Sequence, residues 1–157
     1  MRMPSKLKQV ALRLDPELEF GLAFAIEATG KTQQKFAESA VREALEKVKD
    51  SKGYTWSHYW DSNEAFRSVK LLVDGTFPKK AEEHRMLDFI RAHGRFFLTG
   101  RGFNREAIDV LWPEMPKLVR EWHDSRKQDY QGTAKKMESI LEQAGVFVPD
   151  TTQDAEF

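Results

Sequence analysis

Gln9, Ala11 and Arg13 take alternate positions in the run Lys-Gln-Val-Ala-Leu-Arg-Leu, residues 8–14, with Val10, Leu12 and Leu14 in the remaining apolar places. A strict period of two puts the two sets on opposite faces of a strand. One face then offers groups that read base edges: a guanidinium for guanine, a carboxamide for adenine, and a methyl to touch the thymine methyl. The plain alternative for that face is solvation. The other face is apolar throughout and has to be covered. The residues that follow read as helix, so no partner strand lies nearby, and a lone strand leaves its ladder groups unsatisfied. The simplest partner is a second copy of the same segment, paired antiparallel across a two-fold axis. A ribbon of that width fits the major groove of DNA.

A second set of groups suits phosphate. The helix expected after Thr32 has no acid in its first turn and carries Lys35 there, against the usual preference for negative side chains at a helix start. A phosphate at the amides that follow Thr32 reverses that preference. Lys31, Thr32, Gln33 and Lys35 are therefore the expected phosphate contacts, together with Lys6 and Lys8 of the basic N-terminal arm. The plain alternative is a few solvated lysines. Formal net charge is zero over 157 residues, yet the first thirteen carry Arg2, Lys6, Lys8 and Arg13 with no acid. Residues 14–50 carry five basic and eight acidic side chains. A basic edge on an acidic body suits an oriented approach to a polyanion.

The elements that position these groups are short and well signalled. Asp15-Pro16 starts a first helix, with Asp as cap and Pro at the first helical place, and Gly30 stops it. Leu18, Leu22 and Ile26 form its core stripe. Phe20, Ala23 and Phe24 form a second stripe on the opposite side, which needs a cover from another domain, another dimer or a wider core. From Thr32 to about Val48 a second helix turns Phe36, Ala37, Ala40, Val41, Ala44 and Leu45 inward. The expected dimer core is Val10, Leu12, Leu14, Leu18, Leu22, Ile26, Phe36, Ala40 and Val41.

This order of one strand, a helix ending in Gly, a tight turn Gly30-Lys31-Thr32 and a second helix rich in small residues resembles the ribbon-helix-helix family of DNA-binding proteins. The resemblance covers residues 8–48 and nothing beyond them. It implies an obligate homodimer whose paired strands read bases through Gln9, Ala11 and Arg13, while the start of the second helix holds a backbone phosphate. It further implies a transcriptional repressor. A plasmid partition or conjugation accessory protein is the near alternative, and an antitoxin-type protein-interaction module is the alternative of a different class.

Residues 46–53 are charged, end in Gly, and read as a hinge. Beyond them a helical domain is expected over 54–148. An aromatic cluster, Tyr54, Trp56, Tyr59 and Trp60, is read as packing rather than as a platform for unpaired bases. Helices are expected over 62–74 and 78–93, the latter with Met86, Phe89, Ile90 and His93 on one side. A small hairpin is expected in 94–103, then a short helix capped by Asn104, and helices over 116–128 and 133–144. The tail, 149–157, reads as disordered. The fold class expected is mainly α.

Other chemistries find little footing. There is no cysteine, hence no thiolate or disulfide framework, as expected for a reducing cytoplasm. His84 and His93 are too far apart on one helix to converge on a metal. The glycines 94, 100 and 102 near Arg95, Arg101 and Arg105 lack the Gly-Lys-Ser/Thr of a phosphate loop, leaving a small wing against the DNA backbone as a minor reading. No serine or threonine stands in a nucleophile context, so neither an enzyme nor a cofactor is expected. No run is long enough to span a membrane. A protein partner for the second domain and higher-order assembly on DNA stay open.

Overall fold

The computed structural model describes residues 8–148, and the chain divides into two units, one up to Val48 and one from Lys49 onward. The fold is mainly helical, with one two-stranded antiparallel sheet. Lys6 and the tail 149–157 lie outside the described residues.

The first unit is extended over residues 8–14 and then helical, with α1 spanning Pro16–Thr29 and α2 spanning Gln33–Lys47. Both helices begin where the caps demand, and α1 also ends at one. The Asp15 carboxylate accepts from the Leu18 amide at 2.8 Å, and Pro16 sits at the first helical place, where a missing N–H costs nothing. Gly30 closes α1 in the left-handed region, at φ 65°, its N–H donating to the Ile26 carbonyl at 3.0 Å.

The second unit holds α3 (Trp56–Tyr59), α4 (Glu64–Asp74), α5 (Ala81–Ala92), α6 (Gly94–Phe97), β1 (Leu98–Thr99), β2 (Gly102–Phe103), α7 (Arg105–Leu111), a 3-10 turn (Trp112–Glu114), α8 (Met115–Asp124) and α9 (Tyr130–Gln143). Each longer helix buries one stripe. In α8 the stripe is Met115, Leu118, Val119 and Trp122, the spacing of a single helical face, and in α4 it is Ala65, Val69 and Leu72. The short α7 lies against α4, α6 and α9 and buries Ala107, Ile108 and Leu111. Phe89, Phe96, Phe97, Met115, Met137 and Leu141 complete a dry centre in which each is at most 1 % exposed.

Several elements depart from the sequence reading. The expected helix over 78–93 begins later, at Ala81, because the Glu83 carboxylate turns back to accept from the Lys80 amide at 2.7 Å. Gly94, the residue just past the expected helix over 78–93, opens α6, which puts Phe96 and Phe97 into the core. The hairpin is therefore smaller than residues 94–103, pairing Leu98 with Phe103 and Thr99 with Gly102. The helix expected over 116–128 starts one residue earlier and stops at Asp124, where Arg126 and Lys127 take φ values of 56° and 62°. The last helix, expected over 133–144, begins at Tyr130, because the Asp129 carboxylate accepts from the Gly132 amide at 3.0 Å.

Residues 50–53, read as part of a hinge, fold into the second unit. Asp50 accepts from the amides of Lys52 and Tyr54, both at 2.9 Å, and from the Tyr59 hydroxyl at 2.5 Å. The Lys52 ammonium donates to the Asp74 carbonyl at 3.0 Å, at the end of α4. Burial, helped by the adjacent Asp50 carboxylate, pushes the Tyr59 hydroxyl up to about 12. The Tyr59 hydrogen bond in turn holds the Asp50 carboxyl below its ordinary range.

Candidate nucleic-acid interface

Lys8, Gln9, Ala11 and Arg13 are exposed on the extended segment, as are Lys31, Thr32, Gln33 and Lys35 around the start of α2. That start is built locally. The Thr32 hydroxyl accepts from the Lys35 amide at 3.3 Å, and the Thr32 carbonyl accepts from the Phe36 amide at 2.9 Å. The Thr29 hydroxyl donates to the Ala25 carbonyl at 2.7 Å and accepts from the Lys31 amide at 3.4 Å, tying the turn to α1. Among the described residues no acceptor meets the amides of Gln33 and Gln34, and the first turn holds no acid. An anion there meets free N–H groups, the positive end of the helix dipole and two lysines.

The segment 8–14 has the alternation of a strand but no ladder among the described residues, whose two strands, β1 and β2, pair with each other. Its apolar positions stand open: Val10 is 74 % exposed and Leu12 70 %. None of the expected dimer-core side chains is buried in the single chain. Leu14, Leu18, Ala40 and Val41 are exposed, while Leu22, Ile26 and Phe36 are half-buried where α1 and α2 meet. The sequence reading turned all of these inward. One copy of the unit supplies only two helices and one strand segment, too few layers to close over them.

Charge separates the two units further. Among the described residues the first unit has a single ion pair, Lys47 with Glu43, and Lys8, Arg13, Lys31 and Lys35 have no acidic partner. In the second unit Arg95 pairs with Glu138, Arg105 with Asp61, Lys127 with Asp88 and Lys136 with Glu121, each joining different elements or a loop to a helix. The Arg105 guanidinium holds the Asp61 carboxyl down at about 2, with help from the Asn63 amide. Arg105 is thereby committed, as is Arg95, which weakens the reading of a phosphate-binding wing at the hairpin.

Two other features were open to chemistry. Among the described residues no cluster of His, Asp or Glu has metal-binding geometry. An open groove of about 270 Å³ is lined by Leu71, Leu72, Phe77, Met86 and Trp112, with Ser68, Lys79 and Glu83 at its rim. Lys79 donates to the Gly75 carbonyl at 2.8 Å and Glu83 caps α5, so both charged groups of the rim have partners within the fold. Sequence reasoning missed the Asp50 knot, although Asp-Ser-Lys-Gly is a turn signal whose Asp can accept from amides two and four residues on. Among the described residues no helix is long and apolar enough to cross a membrane. Comparison with protein-family models, curated proteins and solved structures gave no significant match for this chain.

Proposed function

We propose that this chain is a homodimeric, sequence-specific DNA-binding regulator in which two copies of residues 8–14 pair as an antiparallel ribbon and enter the major groove. One observation carries the reading. An alternating extended segment exposes Val10 and Leu12 in a unit that buries no residue of its own helices. Pairing with a second copy covers the apolar face and supplies the missing ladder together. The same pairing turns Gln9, Ala11 and Arg13 outward, where Arg13 forks onto guanine and Gln9 meets adenine. Lys31 and Lys35, beside the open amides of α2, then hold the flanking phosphate and fix the ribbon's register.

Repression follows from occupying an operator, and marking a partition site or transfer origin uses the same interface. A toxin-wrapping antitoxin is less well supported, because the second unit has a dry core of its own rather than a short unstructured tail. The test joins two measurements on the full chain. Sedimentation over a dilution series is expected to give a dimer, and selection from a random DNA pool is expected to enrich a two-fold symmetric site. A chain that stays monomeric at all concentrations and enriches no sequence overturns the proposal.

A further inference from the structure

His93 lies at the junction of α5, α6, α8 and α9 and is fully buried, at 0 % exposure. Its Nδ1 is 2.9 Å from the Phe89 carbonyl oxygen, so Nδ1 carries the proton and donates it, and Nε2 keeps the basic lone pair. Among the described residues no donor reaches that Nε2. The ring is enclosed by aromatics. Phe89 lies on one side at 4.4 Å between centroids, Tyr130 stacks at 4.8 Å and 9°, and Trp122 presents an edge at 5.4 Å. Of these three rings only Tyr130, the first residue of α9, is exposed, at 36 %. Tyr130 is therefore the one of these three rings that borders solvent.

The turn that carries Tyr130 is under tension. Arg126 and Lys127, both with side chains, occupy the left-handed region where glycine is the usual residue. They are held there by the Lys127 amide on the Trp122 carbonyl at 3.0 Å and the Arg126 amide on the His123 carbonyl at 2.9 Å. From α6, Arg95 opposes a second positive charge, and Glu138 of α9 partners that arginine. Lys127 of the turn lies over Trp122 and pairs with Asp88 of α5. On α8, His123 turns its Nε2 to the Arg85 carbonyl at 3.2 Å. No carboxylate bonds the His93 ring among the described residues.

We infer that His93 is a proton-operated latch: protonation at Nε2 lifts Tyr130 and the first turn of α9 away from α5 and α8, uncovering the apolar surface of Phe89 and Trp122. A proton at Nε2 creates an N–H with no acceptor in an apolar enclosure, and the relief is to admit water where the lid is thinnest. Burial holds the imidazole below its ordinary range, the Phe89 carbonyl offsets this in part, and Arg95 adds to the lowering. The open state therefore binds more protons. The closed state is secure above the ordinary imidazole value and loses population as pH falls below it.

Hydrogen exchange on the full chain at pH 7.5 and 5.5, corrected for the intrinsic pH dependence of exchange, tests the latch. Protection over residues 126–137 is expected to fall about tenfold at the lower pH, while α4 and α7 keep theirs. His93→Phe should abolish that fall and His123→Asn should leave it in place. An equal fall in His93→Phe, or none in the wild type, overturns the inference. Should His93→Phe fail to fold, nitrogen NMR of the wild-type histidines decides. Protonation of His93 together with loss of α9 protection upholds the latch, and protonation with α9 protection intact overturns it.

Discussion

Both units of this chain must hide apolar side chains from water, and they do so on different terms. The second unit covers its own: Phe89, Phe96, Phe97, Ile108 and Leu111 are shut in by helices that each contribute a single stripe. The first unit leaves Val10, Leu12, Leu18, Phe20, Phe24 and Val41 more than half exposed. Its helices are nonetheless the better capped, with Asp15, Gly30 and Thr32 each in the expected place. Local signals and global burial are therefore separable. Caps and turns can be complete in a segment whose helices bury no residue within the single chain.

The largest expected effect breaks the self-sufficient side of this contrast. Phe97→Ala should destabilise the second unit by about 3–5 kcal/mol, since it empties a site with no exposed edge into which the structure can collapse. Denaturant unfolding of the full chain measures it, and the midpoint of that transition should not move with protein concentration. A loss below about 1 kcal/mol would mean that the core is looser than the packing implies.

The dependent side predicts a different dependence. Leu12→Ala should weaken self-association by about 1.5–3 kcal/mol for each copy, the value of one buried leucine side chain. Sedimentation across a dilution series reads that loss. The unfolding of the second unit should stay where it was, because the two units have separate cores. If Leu12→Ala left association untouched, the alternation over residues 8–14 would be an exposed strand face and the ribbon would go with it.

What was legible in the sequence follows the same division. The limits of α1 and the start of α2 could be read almost to the residue, because they depend on Asp15, Pro16, Gly30 and Thr32 and not on distant packing. In the second unit, tertiary demands moved the boundaries. Gly94 carries a stop signal, yet the pull of Phe96 and Phe97 into the core makes it the start of α6. Two residues with side chains, Arg126 and Lys127, end α8 in a conformation for which no glycine advertised a turn. The alternation on which the proposed base-reading face rests was legible in Gln9, Ala11 and Arg13, whereas the enclosure proposed as a latch at His93 was not. An inward histidine at helical spacing looks like ordinary core until its neighbours from α8 and α9 are known.

Specific recognition provides a third way to sharpen the contrast. Arg13→Ala should cost about 1–3 kcal/mol of specific binding per contact and relax the preference at one base pair in each half-site. A titration against the selected site and its single-base variants measures both. Unchanged discrimination would take the reading role away from the ribbon while leaving the dimer intact.

Charge gives the smallest effects and the cleanest separation. The unpaired cations of the first unit are expected to meet phosphates, so Lys35→Ala should weaken binding to all sequences alike and flatten the dependence of log affinity on log salt by about one unit. In the second unit Arg95, Arg105, Lys127 and Lys136 already have acids, and for these pairs the signature moves from salt to acid. Asp61, held at about 2 by Arg105, contributes stability that is whole above its unfolded value of 3.8 and is lost as pH falls toward about 2. Asp61→Asn removes that contribution at neutral pH and, with it, one source of the acid loss. Thermal melts from pH 5 to pH 2 should therefore show the variant below the wild type at the upper end and the two converging at the lower end. Parallel curves would mean that the Arg105 pair is too well solvated to matter, and that the second unit is held by its core alone.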